Sequence, residues 1–293
     1  DRSRRSLRLW PDAILRSKTS VVQGRLETGT TLDVPWPDGA DPREGVEIEC
    51  FGSTAAIAET LADALARYPH GCVEQTLSRL LPFFAAARGA RVHGREAPNR
   101  DEAFRARLVE GLSRMRALQT APGGTFAWWP GEPADLAMTA LVLHGLVVMR
   151  EGGLEPRSVG LDLDPSRDDA LHAIAHVGSD PRHASTEDAE FAAAVLRLLP
   201  EQAHARAAAV ALADAERSLP HGLLARLGLA LHAAGDHTRA RRCLERLRAE
   251  PVAREHAASF AGEGDLAVAA LRLELAVRLD PKEPSLSAAG DAL

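Results

Sequence analysis

The amino-acid sequence predicts a mainly α-helical protein, built of stacked helical hairpins behind a short N-terminal β segment. Three observations carry that prediction. Ala and Leu are abundant while aromatic residues make up only 4% of the chain, a bias towards side chains that lose little freedom in a helix. From Ser53 almost to the end, apolar positions recur at helical spacing, broken by connectors of Pro, Gly or Asp that are mostly two to four residues long; connectors that short join antiparallel neighbours. Residues 1 to about 50 depart from this pattern and alternate with period two, as half-buried strands do.

Taken in order, SVVQGRLETGTTLDVPWP (20–37) and VEIEC (46–50) read as strands, rich in β-branched residues or strictly alternating, with the loop PWPDGADPREG between them. STAAIAETLADALARY opens a helix with Ser53 or Thr54 as N-cap and Ile57, Leu61 and Leu65 on one face. The next helix begins near Cys72 and carries Leu77, Leu80 and Leu81; Pro82 is expected to kink or end it. DEAFRARLVEGLSRMRALQ (101–119) is amphipathic, and ADLAMTALVLHGLVVMREGG (134–153) is apolar nearly all round, so it should be buried and stop at its Gly pair. Residues 153–169 are mostly loop, followed by helices at about 170–177, 186–199, 201–217, 220–234, 236–249, 263–279 and 283–292. LLARLGLALHAAGDHTRARRCLERLRAEP (223–251) has the small-residue and Gly-Asp pattern of a tetratricopeptide pair. A true array repeats such units at a period of about 34 residues. With one unit, this is read as an ordinary hairpin, and a protein-binding solenoid is the alternative.

The bulk properties narrow the function classes. The chain has 293 residues, enough for one large domain or two medium ones, and is 45% hydrophobic and 26% charged. Its net charge of -6 argues against nucleic acid as a partner. No run reaches the roughly 18 apolar residues of a membrane span. The chain opens with Asp1, so it is read as a processed or excised piece. Its three cysteines are Cys50, Cys72 and Cys243, an odd number, so at least one lies outside any internal disulfide. A Cys50–Cys243 bridge and buried free thiols both fit the count. No C-x-x-C pair suggests zinc.

The stretch that asks for chemistry is YPHGCVEQTLSRLLP, residues 68–82. The bland interpretation of Cys72 and Gln75 is a helix N-terminus with a half-buried cysteine and a surface glutamine. The chemical one joins them. Positions i and i+3 share a helix face. A Cys72 thiolate could attack the Gln75 carboxamide carbon, expel ammonia and close a thioester ring of about fifteen atoms within one turn. Pro69 and Gly71 would set a sharp turn into the helix. The positive end of the helix favours the thiolate. Glu74 points off the Cys72–Gln75 face and could serve free amides of the first turn.

GCVEQ, Gly71–Gln75, resembles the thioester motif of the α2-macroglobulin and complement family, and YPHGCVEQTLSRLLP resembles its bacterial branch. GGTFAWWPGEPADLAMTALVLHGL (123–146) resembles a second block of the same domain, and RLGLALHAAGD and LRLELAVRLDPKEPSL are similar to its later helices. The resemblance covers residues from about 45 to 293.

It implies an α/α toroid over 51–293, truncated at its C-terminus, with residues 1–50 contributing part of an adjoining β-sandwich (CUB-like) domain. It implies a covalent protease trap: a protease lysine amine attacks the Gln75 carbonyl and Cys72 leaves as thiolate. That is single-use acyl transfer and not turnover catalysis, with no cofactor and no metal. The implied partners are target proteases and the other domains of a full-length macroglobulin. The implied compartment is the periplasm, with an inner-membrane anchor upstream. Tyr68, Trp128 and Trp129 are the aromatic candidates for shielding the thioester, with core packing as their plain alternative. Some complement relatives carry a histidine in the loop before the Thr-Ala helix; here that loop, FAWWPGEPADLAMTA, has none, which implies amine preference. His144 lies beyond it, as a packed or capped residue, and His70 is within the motif as polar lining. Two further readings compete: a structural toroid relative that forms no bond, and a toroid enzyme. The second needs a carboxylate pair or zinc ligands, for which Cys243 and His256 lack a matching context.

Overall fold

The computed structural model describes residues 71–92, 102–164, 166, 168–215, 217–249 and 265–282. The strands expected before residue 50, the helix at Ser53–Tyr68 and the one at 283–292 lie outside the described residues, as do Tyr68, Pro69, His70, Cys50 and His256.

Nine α-helices follow one another among the described residues: α1 Val73–Val92, α2 Glu102–Leu118, α3 Leu136–Glu151, α4 Asp168–Ser179, α5 Thr186–Leu198, α6 Ala203–Asp214, α7 His221–Ala233, α8 His237–Ala249 and α9 Asp265–Leu279. A 3-10 turn, Pro156–Val159, interrupts the long α3–α4 connection that reads as loop in the sequence. Pro82 does not end α1; the helix runs through it. An interior proline costs on the order of 3 kcal/mol. Here Val73, Leu77, Leu80 and Phe84 form a buried stripe across the proline, and that burial outweighs the lost hydrogen bond.

Caps fix several helix starts. Asp135 accepts from the Met138 amide at 2.8 Å, the Ser185 hydroxyl from the Asp188 amide at 3.0 Å, and the Gln202 side chain from the Ala205 amide at 2.6 Å. Each satisfies a first-turn amide that the helix cannot.

The helices form two layers. α1, α3, α5, α7 and α9 pack side by side in that order, while α2, α4, α6 and α8 lie outside as the return legs of the hairpins. Burial follows the layering. α3 and α5 are buried over most of their length, including all of Phe191–Leu198, whereas outer α8 buries only Ala240, Cys243, Leu244 and Leu247, one stripe at helical spacing. Close approach of α1 to α3 depends on glycine. A Cβ on Gly145 would come within 2.5 Å of the Leu77 side chain, and one on Gly152 within 2.6 Å of the Phe84 carbonyl oxygen.

Because the inner helices run parallel, their C-terminal ends meet. Arg88 of α1 pairs with Glu151 of α3 at 2.7 Å. Arg278 of α9 reaches Glu151 at 2.6 Å and Glu274 at 2.8 Å. Arg197 of α5 pairs with Glu274 at 2.8 Å. Arg88 also approaches Glu274 at 3.7 Å, so the first and last inner helices share the cluster and the layer curves round on itself. The fold is mainly α, in the toroid class expected from the sequence. Cations at helix C-termini also oppose the negative ends of the dipoles.

Candidate functional site

The opposite end of the inner layer holds Cys72. Sixteen residues separate it from Arg88, about 24 Å along a helix axis. Cys72 is the residue before α1, 4% exposed, and in no disulfide. Its carbonyl accepts the Thr76 amide at 3.0 Å, opening the helical ladder, and the Thr76 hydroxyl at 2.8 Å. Gln75 follows in the same turn, half-buried, and its carboxamide oxygen is buried with no hydrogen-bond partner among the described residues. A buried acceptor without a donor costs about 1–3 kcal/mol, so this is an unusual place to hold an ordinary glutamine.

Two outside groups complete the turn. The Val73 amide, which an α-helix leaves orphaned at its start, donates to the Trp128 carbonyl at 3.2 Å. On the other side, Arg114 of α2 donates from Nε to the Gly71 carbonyl at 3.0 Å. Its guanidinium occupies the space that a Cβ on Gly71 would take, 1.6 Å from that point. Glu74 is exposed in the first turn of α1, where its charge suits the helix dipole. A cavity between α1 and α2, lined by Thr76, Arg79, Phe83, Arg107 and Arg114 among others, opens beside this turn.

Trp128 belongs to the segment 119–135 that connects α2 to α3. The segment begins as a tight bridge between Gln119 and Phe126, stitched by the Gln119 side chain, which donates to the carbonyls of Gly124 at 2.8 Å and of Asp162. It ends at Asp135, whose carboxylate accepts from the Met138 amide and, at 3.0 Å, from the Trp128 indole Nε1. Thr139 locks the two ends together. Its hydroxyl donates to the Asp135 carbonyl at 2.7 Å and accepts from the Phe126 amide at 2.9 Å. Trp128 packs half-buried against the core, whereas Trp129 is 46% exposed.

The structure therefore brings Gly71, Cys72, Glu74, Gln75 and Trp128 to one turn. Sequence reasoning did not single out Arg114, which is 43 residues from Gly71 and has no local signal. It also passed over Asp135, although an Asp immediately before an apolar helix is the ordinary signature of an N-cap. His144, expected as packed or capped, is packed. Both ring nitrogens are buried without a hydrogen-bond partner among the described residues. Its pKa is pulled well below 6.5, first by burial and then by the positive charges of Arg226 and Arg197. Cys243 is a buried thiol, unbridged among the described residues; the Cys50 of the possible bridge lies outside them. Burial pushes its pKa up to about 11, against the smaller pull of Arg246 and Arg242. Among the described residues no cluster of His, Cys, Asp and Glu could hold a metal ion.

A buried Cys and a half-buried Gln on the first turn of an inner helix define a class: helical toroid domains with a cysteine–glutamine pair at a helix N-terminus. Comparison with known proteins gives the particular family. The chain is 34% identical over 167 residues to an alpha-2-macroglobulin of Ralstonia nicotianae, covering 56% of this chain and 10% of that protein. It is 30% identical over 185 residues to that of Escherichia coli, covering 60% and 11%. No family model matches. In fold it is similar to native Escherichia coli alpha-2-macroglobulin from domain MG7 to the C-terminus, with TM-score 0.57 and 24% identity over 80% of this chain and 38% of that one. Salmonella alpha-2-macroglobulin reacted with methylamine is similar at TM-score 0.58 and 22% identity, covering 80% and 16%. These relatives match the family resemblance carried by the motifs: the chain is homologous to bacterial α2-macroglobulins, and it spans about a tenth of the length of the curated relatives it matches.

Proposed function

We propose that this chain is the thioester-bearing part of a covalent protease trap of the bacterial α2-macroglobulin type. The observation that carries the proposal is the first turn of α1: a buried thiol at Cys72 and, in the same turn, a Gln75 carboxamide whose oxygen has no donor. An amide there leaves a strong acceptor, itself buried, unpaired. Its conversion to a thioester removes the amide nitrogen and leaves a weaker acceptor, so the site disfavours the precursor more than the product. The Cys72 sulfur attacks the carboxamide carbon, the C–N bond breaks, and ammonia leaves with the thiol proton. Trapping reverses the sense of activation. A lysine amine of the protease attacks the Gln75 carbonyl, the C–S bond breaks, and Cys72 departs as thiolate and takes up the amine's proton.

Support for proteases as the partner comes from a relative: Escherichia coli alpha-2-macroglobulin activated by porcine elastase has the same fold, at TM-score 0.52. Amine preference follows from a connecting segment without histidine. The full-length setting, other macroglobulin domains and a periplasmic location with an upstream anchor, belongs to the same proposal.

The test is the intact mass of the purified protein before and after methylamine, with the Cys72→Ala variant alongside. The expected result is a mass one ammonia below that of the plain sequence, Cys72 blocked to alkylation, and release of one thiol as methylamine adds to Gln75. The variant should show none of these. A wild-type mass equal to the plain sequence, with Cys72 alkylated directly, sinks the trap and leaves a structural toroid relative.

A further inference from the structure

We infer that Asp135 is a positioning residue for the Cys72–Gln75 centre: through the Trp128 indole it holds the 119–135 segment across the first turn of α1, and so sets how fast a nucleophile reaches that turn. The inference rests on the trap reading for its biological use, but its geometry stands independently.

An N-cap needs one acceptor. Asp135 uses both of its oxygens, Oδ1 for the Met138 amide at 2.8 Å and Oδ2 for Trp128 Nε1 at 3.0 Å. The second bond fixes the residue whose own carbonyl takes the Val73 amide at 3.2 Å, one residue from Cys72. The segment is thus tied at its α3 end by Asp135 and Thr139 and rests on α1 at Trp128. Cys72, the residue before Val73, is 4% exposed. An aspartate that only capped α3 would be equalled by asparagine or serine. The indole bond is what asks for a two-oxygen side chain.

Substitution separates the two duties. Asp135→Asn keeps an acceptor for Met138 and presents an amide group to the indole. Trp128→Phe removes the indole N–H and leaves the cap untouched. Both should speed the reaction at Cys72 on the order of tenfold, the fold-change matching loss of one charge-assisted hydrogen bond. The double variant should react no faster than either single one, because they break the same bond.

The experiment uses the whole chain and reads Cys72 and Cys243 separately by peptide mass. Where the untreated mass shows the loss of ammonia, the rate is that of thiol release at Cys72 by methylamine; where it does not, the rate is that of direct iodoacetamide labelling of Cys72. The mass thus reports on the trap reading, and the rate reports on Asp135 in either case. Faster reaction at Cys72, with Cys243 still protected, is the expected result. Wild-type rates at Cys72 in both single variants overturn the inference. So does acceleration of Cys243 in step with Cys72, which would mean that the variants only loosen the fold.

Discussion

At the scale of single residues, the informative groups are those whose surroundings do not suit them. His144 sits among the inner helices with two unpaired ring nitrogens and two arginines close enough to repel a proton. Held neutral in the fold and free to protonate when unfolded, it costs stability as pH falls below 6.5, because the unfolded chain then binds the extra proton. His144→Leu should therefore raise stability by about 1 kcal/mol at neutral pH, by removing two unsatisfied polar atoms, and by more at pH near 5. Thermal melts of the two proteins across pH 5 to 8 check this; a constant gap in melting temperature would defeat it. Cys243 is the quiet counterpart. With a thiol pKa of about 11 it is almost wholly protonated at pH 8, and native alkylation at that pH should leave it unlabelled until denaturant is added. Labelling of Cys243 in the native protein at the rate of a free thiol would contradict its burial.

At the scale of elements, the decisive contact is the crossing of α1 and α3, since it brings the Cys72 turn to the 119–135 segment at Trp128. Gly152 lies at the end of α3 with φ -78, where any residue fits the backbone. Its constraint is space alone, and what occupies that space is the Phe84 backbone, not a side chain able to swing away. Gly152→Ala should force the helices apart and cost about 1–3 kcal/mol, measured as a drop in denaturant midpoint. The atoms nearest a Cβ at Gly71 are the end of the exposed Arg114 side chain. Gly71→Ala should cost no more than about 1 kcal/mol, the worth of the Arg114 hydrogen bond it displaces. If Gly71→Ala proved the more damaging of the two, the account of both positions would fail.

At the scale of the whole molecule, the charge cluster at the C-terminal ends of α1, α3, α5 and α9 ties the inner layer together. Glu274 is opposed by its burial, which raises its pKa, but Arg197 and Arg278 outweigh that and hold it below 4.5. A carboxylate with a depressed pKa stabilises the fold above its ordinary value, and that contribution is lost as pH falls below about 4.5 towards its folded pKa. Glu274→Gln takes from Arg197 its carboxylate partner, while Arg278 keeps Glu151. It should cost about 1–3 kcal/mol at neutral pH and flatten the acid side of the stability profile. Removal by a neutral substitution without loss of stability would show that the cluster is decorative. The reaction at Cys72 lies at the far end of these helices, so the same variant should leave the initial methylamine rate of the folded protein unchanged.

What the sequence by itself determined is the helical class, the run of hairpins and the Cys72–Gln75 pair, because each is written in local spacing. Apolar stripes recur at helical period, short connectors force antiparallel neighbours, and i to i+3 places two side chains on one face. Helix limits came within a few residues for α3, α5, α7 and α8, where caps or glycines mark the ends. Only the tertiary structure decided that Pro82 is carried within α1, because the burial that compensates it comes from other helices. The same holds for Arg114 at the Gly71 carbonyl and for the ion cluster, in which Arg278 and Glu151 lie 127 residues apart. It also decided that Asp135 serves two helices at once. Such partners are chosen by how the layers pack, and no local period in a chain records which distant side chain will arrive at an unsatisfied backbone group.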